Sequence, residues 1–190
     1  MKVRQGLVMG ALAACAAGTA GAQGLYIGGA GGATRSNADC TGTLSCDTSD
    51  SGWKAYAGYQ INPMFGVEVV GYDMGATSGA IFFPGVGVIN ASLKTSGFGL
   101  AGVINVPLGA SVDLIGRLGV ASNKLTIDAS SGSLSGSDSE TDTQPLWGLG
   151  LAFKVTPNVA IRTEIDGTAA SYAGERFDSM LFSLGLSIRF

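Results

Sequence analysis

From residue 24 onward the chain repeats one unit, a run of roughly ten residues in which apolar and polar side chains alternate before turn-forming residues close it. The alternation is clearest in "FSLGLSIRF", residues 182–190. Phe182, Leu184, Leu186, Ile188 and Phe190 share one side there, and Ser183, Gly185, Ser187 and Arg189 the other. A period of two is the geometry of a strand, so each unit presents one apolar and one polar face. Such units occupy 24–34, 52–61, 65–74, 92–106, 110–125, 145–155, 159–169 and 179–190.

The connections between units alternate in length. Asn62-Pro63-Met64, Pro107-Leu108-Gly109 and Thr156-Pro157-Asn158 read as tight turns, whereas 35–51, 75–91, 126–144 and 170–178 read as longer loops, polar or glycine-rich. Short turns on one rim and long loops on the other predict an all-β fold, an eight-stranded antiparallel up-and-down transmembrane β-barrel. Composition bears on the same point. Hydrophobic residues make up 46% of the chain and charged residues 13%. After residue 22, however, no apolar run approaches the ~20 residues that a spanning helix needs. The 31 glycines are spread through the chain, which suits short strands better than helices.

The charged strands pose the question of which face is inside. Val159, Ile161 and Ile165 alternate with Ala160, Arg162, Glu164 and Asp166, and Val112, Leu114 and Leu118 alternate with Asp113, Ile115 and Arg117. A soluble sandwich turns its aliphatics inward, whereas a membrane barrel turns them to lipid and lines a narrow lumen with the charges. The strand pattern permits both arrangements; the tight turns, the aromatic end and the leader favour the barrel.

That leader has Lys2 and Arg4, an apolar stretch from Gly6 to about Ala17, and the small-x-small site Ala20-Gly21-Ala22. It predicts a secretory signal peptide over 1–22, cleaved after Ala22, and a barrel domain over 23–190. Leu12-Ala13-Ala14-Cys15 resembles a lipobox, whose processing would instead lipidate Cys15. Cleavage after Ala22 leaves Cys40 and Cys46, an even pair in an oxidising compartment, within the polar segment "RSNADCTGTLSCDTSDSG". A disulfide closing a small ring is the expectation, since two cysteines without histidine supply too few ligands for zinc.

"SMLFSLGLSIRF", "LAFKVTPNVAIRTEID", "GLAGVINVPLGASVDLIGRLGV" and "FGVEVVGYD" resemble the last, sixth-to-seventh, fourth-to-fifth and third strands of the transmembrane domain of the outer-membrane protein A family. The T-P-N turn with its A-x-R-x-E strand and the final S-x-R-F are the most specific parts. The resemblance implies a cell outer-membrane location, and it implies that the strand ending in Phe190 is the signal read by the barrel assembly machinery. It also assigns lumen positions to Glu68, Arg117, Arg162 and Glu164, with Glu68 and Arg162 as opposite charges across the lumen. At Val103 and Ala152 the family pattern leads one to expect a lysine and a glutamate; their loss thins the network and weakens any gating carried over from the family. Full-length members continue into a periplasmic peptidoglycan-binding domain, and a chain stopping at Phe190 is expected to lack that role.

Several chemistries are disfavoured. Small outer-membrane barrels that act as acyltransferases, deacylases, phospholipases or proteases rely on a catalytic histidine, and this chain has none. A Ser-Lys pair would require Lys54, Lys94, Lys124 or Lys154 to be desolvated beside a serine, and nothing local argues for it. Past the leader, 9 basic residues face 14 acidic ones, which repels nucleic acid. Asp128, Asp138, Glu140 and Asp142 fit no EF-hand spacing and read as a solvated loop. The glycines of "YIGGAGGAT" precede no helix, so they read as strand positions that ease close packing. No catalytic residue, cofactor or metal is expected. Two functions remain: a structural or surface-interaction barrel, and a small solute or ion pore. The expected partners are outer-membrane lipid and lipopolysaccharide, the assembly machinery, and host or surface ligands met by the loops of a monomer.

Overall fold

The computed structural model describes residues 24–37, 44–83, 87–131, 134–172 and 175–190. Nine strands occur among them: β1 (Gly24–Ser36), β2 (Ser45–Asp47), β3 (Ser49–Gln60), β4 (Phe65–Phe83), β5 (Gly87–Pro107), β6 (Val112–Ser131), β7 (Leu134–Lys154), β8 (Val159–Tyr172) and β9 (Glu175–Arg189). β1 pairs with β3, each later strand pairs with the next, and β9 returns to β1, always antiparallel. Eight strands therefore close a ring, and the three-residue β2 adds to β4 alone. Closure is what admits such a chain to hydrocarbon, because neighbouring strands satisfy the backbone N–H and C=O groups and leave no edge in the lipid.

The period of two settles the faces. Leu118 is 71% exposed on the outside of the ring, whereas Glu68, between the exposed Val67 and Val69, is 1% exposed. Aliphatics thus form the outer wall and charges the interior. On β3 Trp53 and Tyr59, and on β7 Trp147 and Phe153, bound that wall with exposed rings. Each pair lies about 20 Å apart along its strand at ~3.3 Å per residue, in the manner of interfacial aromatic girdles.

The tight turns are held by their own side chains and backbone. Asn62 Oδ1 accepts the N–H groups of Met64 and Phe65 at 2.9 and 2.8 Å. Thr156 Oγ1 accepts those of Asn158 and Val159 at 3.3 and 3.0 Å. Leu108 N–H donates to the Val112 carbonyl at 2.9 Å.

The long connections depart from the sequence reading. Loops are expected over 75–91, 126–144 and 170–178, but the strands continue through most of these segments as hairpin ladders reaching Phe83↔Gly87, Ser131↔Leu134 and Tyr172↔Glu175. β2 lies inside the expected loop 35–51. Beyond the lipid both faces of a hairpin are wet, so backbone pairing persists without an apolar period to announce it. Where β4 leaves the wall its register against β5 shifts between Asp73 and Ala76. Gly75 sits in that bulge at φ 72°, a left-handed value that glycine adopts readily. The expected leader, with Cys15 and Ala22, and also Cys40 lie outside the described residues; Cys46 lies on β2.

Candidate functional site

Six ionisable side chains meet inside the ring. β3 supplies Lys54, β4 Glu68, β6 Arg117, and β8 Arg162, Glu164 and Asp166, all buried. Arg117 Nη2 lies 2.6 Å from Glu68 Oε1 and 3.3 Å from Glu164 Oε1, while its Nη1 bonds Asp166. Arg162 Nη2 lies 2.6 Å from Glu164 Oε1, and Lys54 Nζ lies 2.6 Å from Glu164 Oε2 and also bonds Asp166. Three cations thus face three carboxylates and the cluster is neutral as a whole. Neutrality is what makes it tolerable, because a buried charge without a partner costs several kcal/mol.

Two tyrosines complete the cluster. The Tyr26 hydroxyl donates to Glu68 Oε2 at 3.0 Å, and the Arg162 guanidinium lies 4.4 Å from the centre of the Tyr56 ring. Each ring lies over a glycine of the neighbouring strand. A Cβ at Gly28 would come 2.3 Å from Tyr56, and one at Gly58 would come 2.3 Å from Tyr26. These two glycines leave room for the rings.

The structure gathers Glu68, Arg117, Arg162 and Glu164, but with a different pairing from the one the sequence suggests. Glu68 and Arg162 are 3.5 Å apart, so Arg117 is the nearer partner of Glu68 and Glu164 the nearer partner of Arg162. Lys54 and Asp166 belong to the cluster too, although the sequence reading does not assign them to it. Their signal was parity: Lys54 shares a strand face with Tyr56, and Asp166 one with Arg162 and Glu164.

Apolar tiers lie on either side of the charges. Toward the short turns, Val103 and Ala152, the positions where the family pattern suggests a lysine and a glutamate, pack with Ile115. Toward the hairpins, Tyr72 donates to Asn123 Oδ1, Asn123 donates to Thr168 Oγ1 at 2.8 Å, and Met74, Leu146 and Leu181 are buried in one cluster. A cavity of about 60 Å³ on the short-turn side is lined by Gln60, Asn105, Arg162 and Tyr26 among others.

The remaining assigned residues lie on surfaces. Phe182, Leu184, Leu186, Ile188 and Phe190 form the exposed outer face at β9, and Phe190 N–H donates to the Leu25 carbonyl at 2.9 Å. At the hairpin rim Asp50 accepts the N–H groups of Ala76 and Ser51 at 2.8 and 2.7 Å, which holds its carboxyl below the usual range. Lys94 lies 2.9 Å from Asp73 and is held above its ordinary value by that hydrogen bond and charge. Asp128, Asp138, Glu140 and Asp142 sit on strands, not in a loop. Among the described residues no group of three or more acids and cysteines is placed to hold a metal.

A ring of eight antiparallel strands with lipid-facing aliphatics, a charged interior, short turns on one rim and tall hairpins on the other is a transmembrane β-barrel of the bacterial outer membrane. Residues 6–190 match the family model of the outer membrane protein beta-barrel domain, and the chain belongs to that family, among its OmpA-like members. Outer membrane protein A of Shigella flexneri is 33% identical over 144 residues, which cover 72% of this chain and 39% of that protein. The chain thus spans about two fifths of the length of the curated relatives it matches. Among solved structures, Ail, the attachment invasion locus protein of Yersinia pestis, is 22% identical with a TM-score of 0.56, covering 88% of this chain and 99% of that one. Neisserial surface protein A is 16% identical with a TM-score of 0.59, covering 87% and 97%. At these identities the likeness is one of fold.

Proposed function

We propose that the barrel is a non-conducting membrane anchor with a structural or surface-interaction role, which displays its hairpins at the cell surface. The observation that carries this reading is the lumen. Its cross-section is taken up by a neutral ionic cluster between apolar tiers, whereas the β4–β5 and β6–β7 ladders extend well past the wall. An eight-stranded ring is just wide enough for side chains to fill it, which weighs against the rival reading as a solute or ion pore. Catalysis has no support from the interior, whose six charged side chains pair with one another, although Arg117 Nε and Arg162 Nε have no hydrogen-bond partner among the described residues.

Lipid and lipopolysaccharide surround the outer wall in this reading, the barrel assembly machinery delivers the chain, and ligands meet the hairpins of a monomer. One chemistry transfers poorly from a structural neighbour. A structure of Ail contains a heparin analogue, sucrose octasulfate, a polyanion. Residues 126–144 here carry four acids and no lysine or arginine, a charge that repels such a ligand. An epitope inserted between Ser131 and Leu134 should be labelled by antibody on intact cells, and the purified barrel should show no discrete conductance in planar bilayers. Labelling only after permeabilisation defeats the display reading; regular single-channel steps favour the pore.

A further inference from the structure

Between Asp73 and Lys94 the chain carries no Asp, Glu, Lys or Arg, and its middle reads "AIFFPGVGVIN", residues 80–90. The other long connections, 35–51, 126–144 and 170–178, each hold charged residues. Both faces of a hairpin above the lipid ordinarily meet water, which favours hydroxyl, amide and charged side chains there. The β4–β5 hairpin keeps to this pattern in its stalk, with Thr77, Ser78, Asn90 and Ser92, and departs from it at its end.

That end stands clear of its neighbours. β2 last pairs with β4 at Ser45↔Ala80, and β6 last pairs with β5 at Asn90↔Ser130. Among the described residues, therefore, Ile81–Phe83 and Gly87–Ile89 pair only with each other, as a two-stranded ribbon. From Ser96, opposite Asp73 at the level of Trp53, the β5 backbone runs about 30 Å to Gly87 at ~3.3 Å per residue.

Both faces of the ribbon are apolar. The register is unbroken from Ala76↔Lys94 to Phe83↔Gly87, which places Ile81 and Ile89 on one face and Phe82 and Val88 on the other. Val88 is 44% exposed. A protein surface laid on a ribbon covers one face and leaves the second in water. A continuous apolar run along paired strands suits a medium that meets both faces, and hydrocarbon is such a medium. The ribbon's paired residues span about 10 Å of each strand, close to the roughly 5–10 Å to which an interfacial element sinks its apolar part. The backbone groups facing each other across the ribbon are already paired, and the absence of charge from Met74 to Leu93 removes the largest cost of entering lipid. At about 30 Å from the girdle the ribbon lies beyond the lipid around its own wall.

We infer that Ile81–Phe83 and Gly87–Ile89 form an insertion tip that enters the interface of a second, facing bilayer, with zwitterionic phospholipid as its ligand. Many barrels in one outer membrane engage that bilayer together, which turns a weak single contact into a firm one. The inference deepens the surface-display reading and rests on it for access to a facing membrane. Antibody labelling of cells tests display and vesicle binding by purified protein tests the tip, so the two can fail separately.

The test holds the whole purified barrel in nanodiscs and floats it with phosphatidylcholine vesicles, with empty nanodiscs as the blank. The barrel should float with the vesicles, equally at low and high salt and equally with or without anionic lipid in them. Phe82→Ser combined with Phe83→Ser should weaken the association at least about tenfold, with the heat-dependent gel mobility of the barrel reporting that it is still folded. In two further variants, Phe82→Trp and Ile89→Trp, brominated phosphatidylcholine placed in the vesicles alone should quench the added fluorescence in both, because lipid meets both faces. Flotation no better than the blank, undiminished flotation of the folded double variant, a requirement for anionic lipid, or quenching at one position and not the other overturns the inference. Nanodiscs that cluster through their tips without floating would assign the ribbon to a second copy of the chain and overturn it as well.

Discussion

Glu68 has Arg117 at 2.6 Å, Arg162 at 3.5 Å and the Tyr26 hydroxyl at 3.0 Å, so the three do not hold it equally. Removing one partner of a buried ion pair typically costs about 3 to 5 kcal/mol, because the other charge stays behind in a poor solvent. Glu68→Ala and Arg117→Ala should each fall near the lower end, since Asp166 and Glu164 still hold Arg117, and Arg162 still approaches Glu68. A double-mutant cycle on the refolded barrel, read by urea unfolding in lipid vesicles, should give a larger coupling for Glu68 with Arg117 than with Arg162. Couplings within such networks run from about 0.5 to 3 kcal/mol. The reverse order would mean that the distances misrepresent the energetics. The family resemblance put these side chains on the lumen face, and strand parity within that barrel held the same information for Lys54 and Asp166. Which charge meets which was not legible, because partners across a lumen are set by the stagger of strands far apart in sequence.

At the scale of elements, the wall strands were legible and the hairpins were not, for one reason. A strand in lipid must alternate, since one face meets hydrocarbon and the other the lumen, as in Val67-Glu68-Val69. Above the lipid, "SGSDSETDT" pairs just as regularly with β6 but carries no apolar residue to reveal it. β9 is the element with the clearest outer face, and it joins β8 to β1 to complete the ring. If Phe182, Leu184, Leu186, Ile188 and Phe190 are read during assembly, deleting Phe190 should lower the amount of folded protein in the outer membrane. Wild-type levels would remove that role, since the Phe190 N–H bond to Leu25 is a minor loss for the finished ring. Two proposals about the first segments share a single measurement, the intact mass of the exported protein. Cleavage after Ala22 gives a chain starting at Gln23, and a Cys40–Cys46 bond removes two hydrogen atoms until a reductant restores them. A mass that includes lipid on Cys15 would replace the first proposal, and a mass indifferent to reductant the second.

For the whole molecule the question is what shuts the lumen. An ionic cluster alone is a conditional seal, because charges can exchange partners and admit water. Here the cluster is flanked by Val103, Ile115 and Ala152 on one side and by Met74, Leu146 and Leu181 on the other. Apolar side chains packed across a narrow ring exclude water whatever the charges do. The substitution of Val103 and Ala152 for the family's expected charged pair then has a physical reading: it removes alternative ionic partners and supplies an apolar tier in their place. Replacing all six charges with neutral residues of similar shape should therefore leave the barrel silent in planar bilayers, and buried ionic groups replaced in this way often leave stability little changed. Adding Met74→Ala, Leu146→Ala and Leu181→Ala together with Val103→Ala and Ile115→Ala to the neutral variant removes both apolar tiers, and discrete conductance should appear, with the heated and unheated gel mobilities confirming a folded ring in both variants. Conductance in the neutral variant alone would assign the seal to the charges, and the apolar tiers would then be packing without a barrier role.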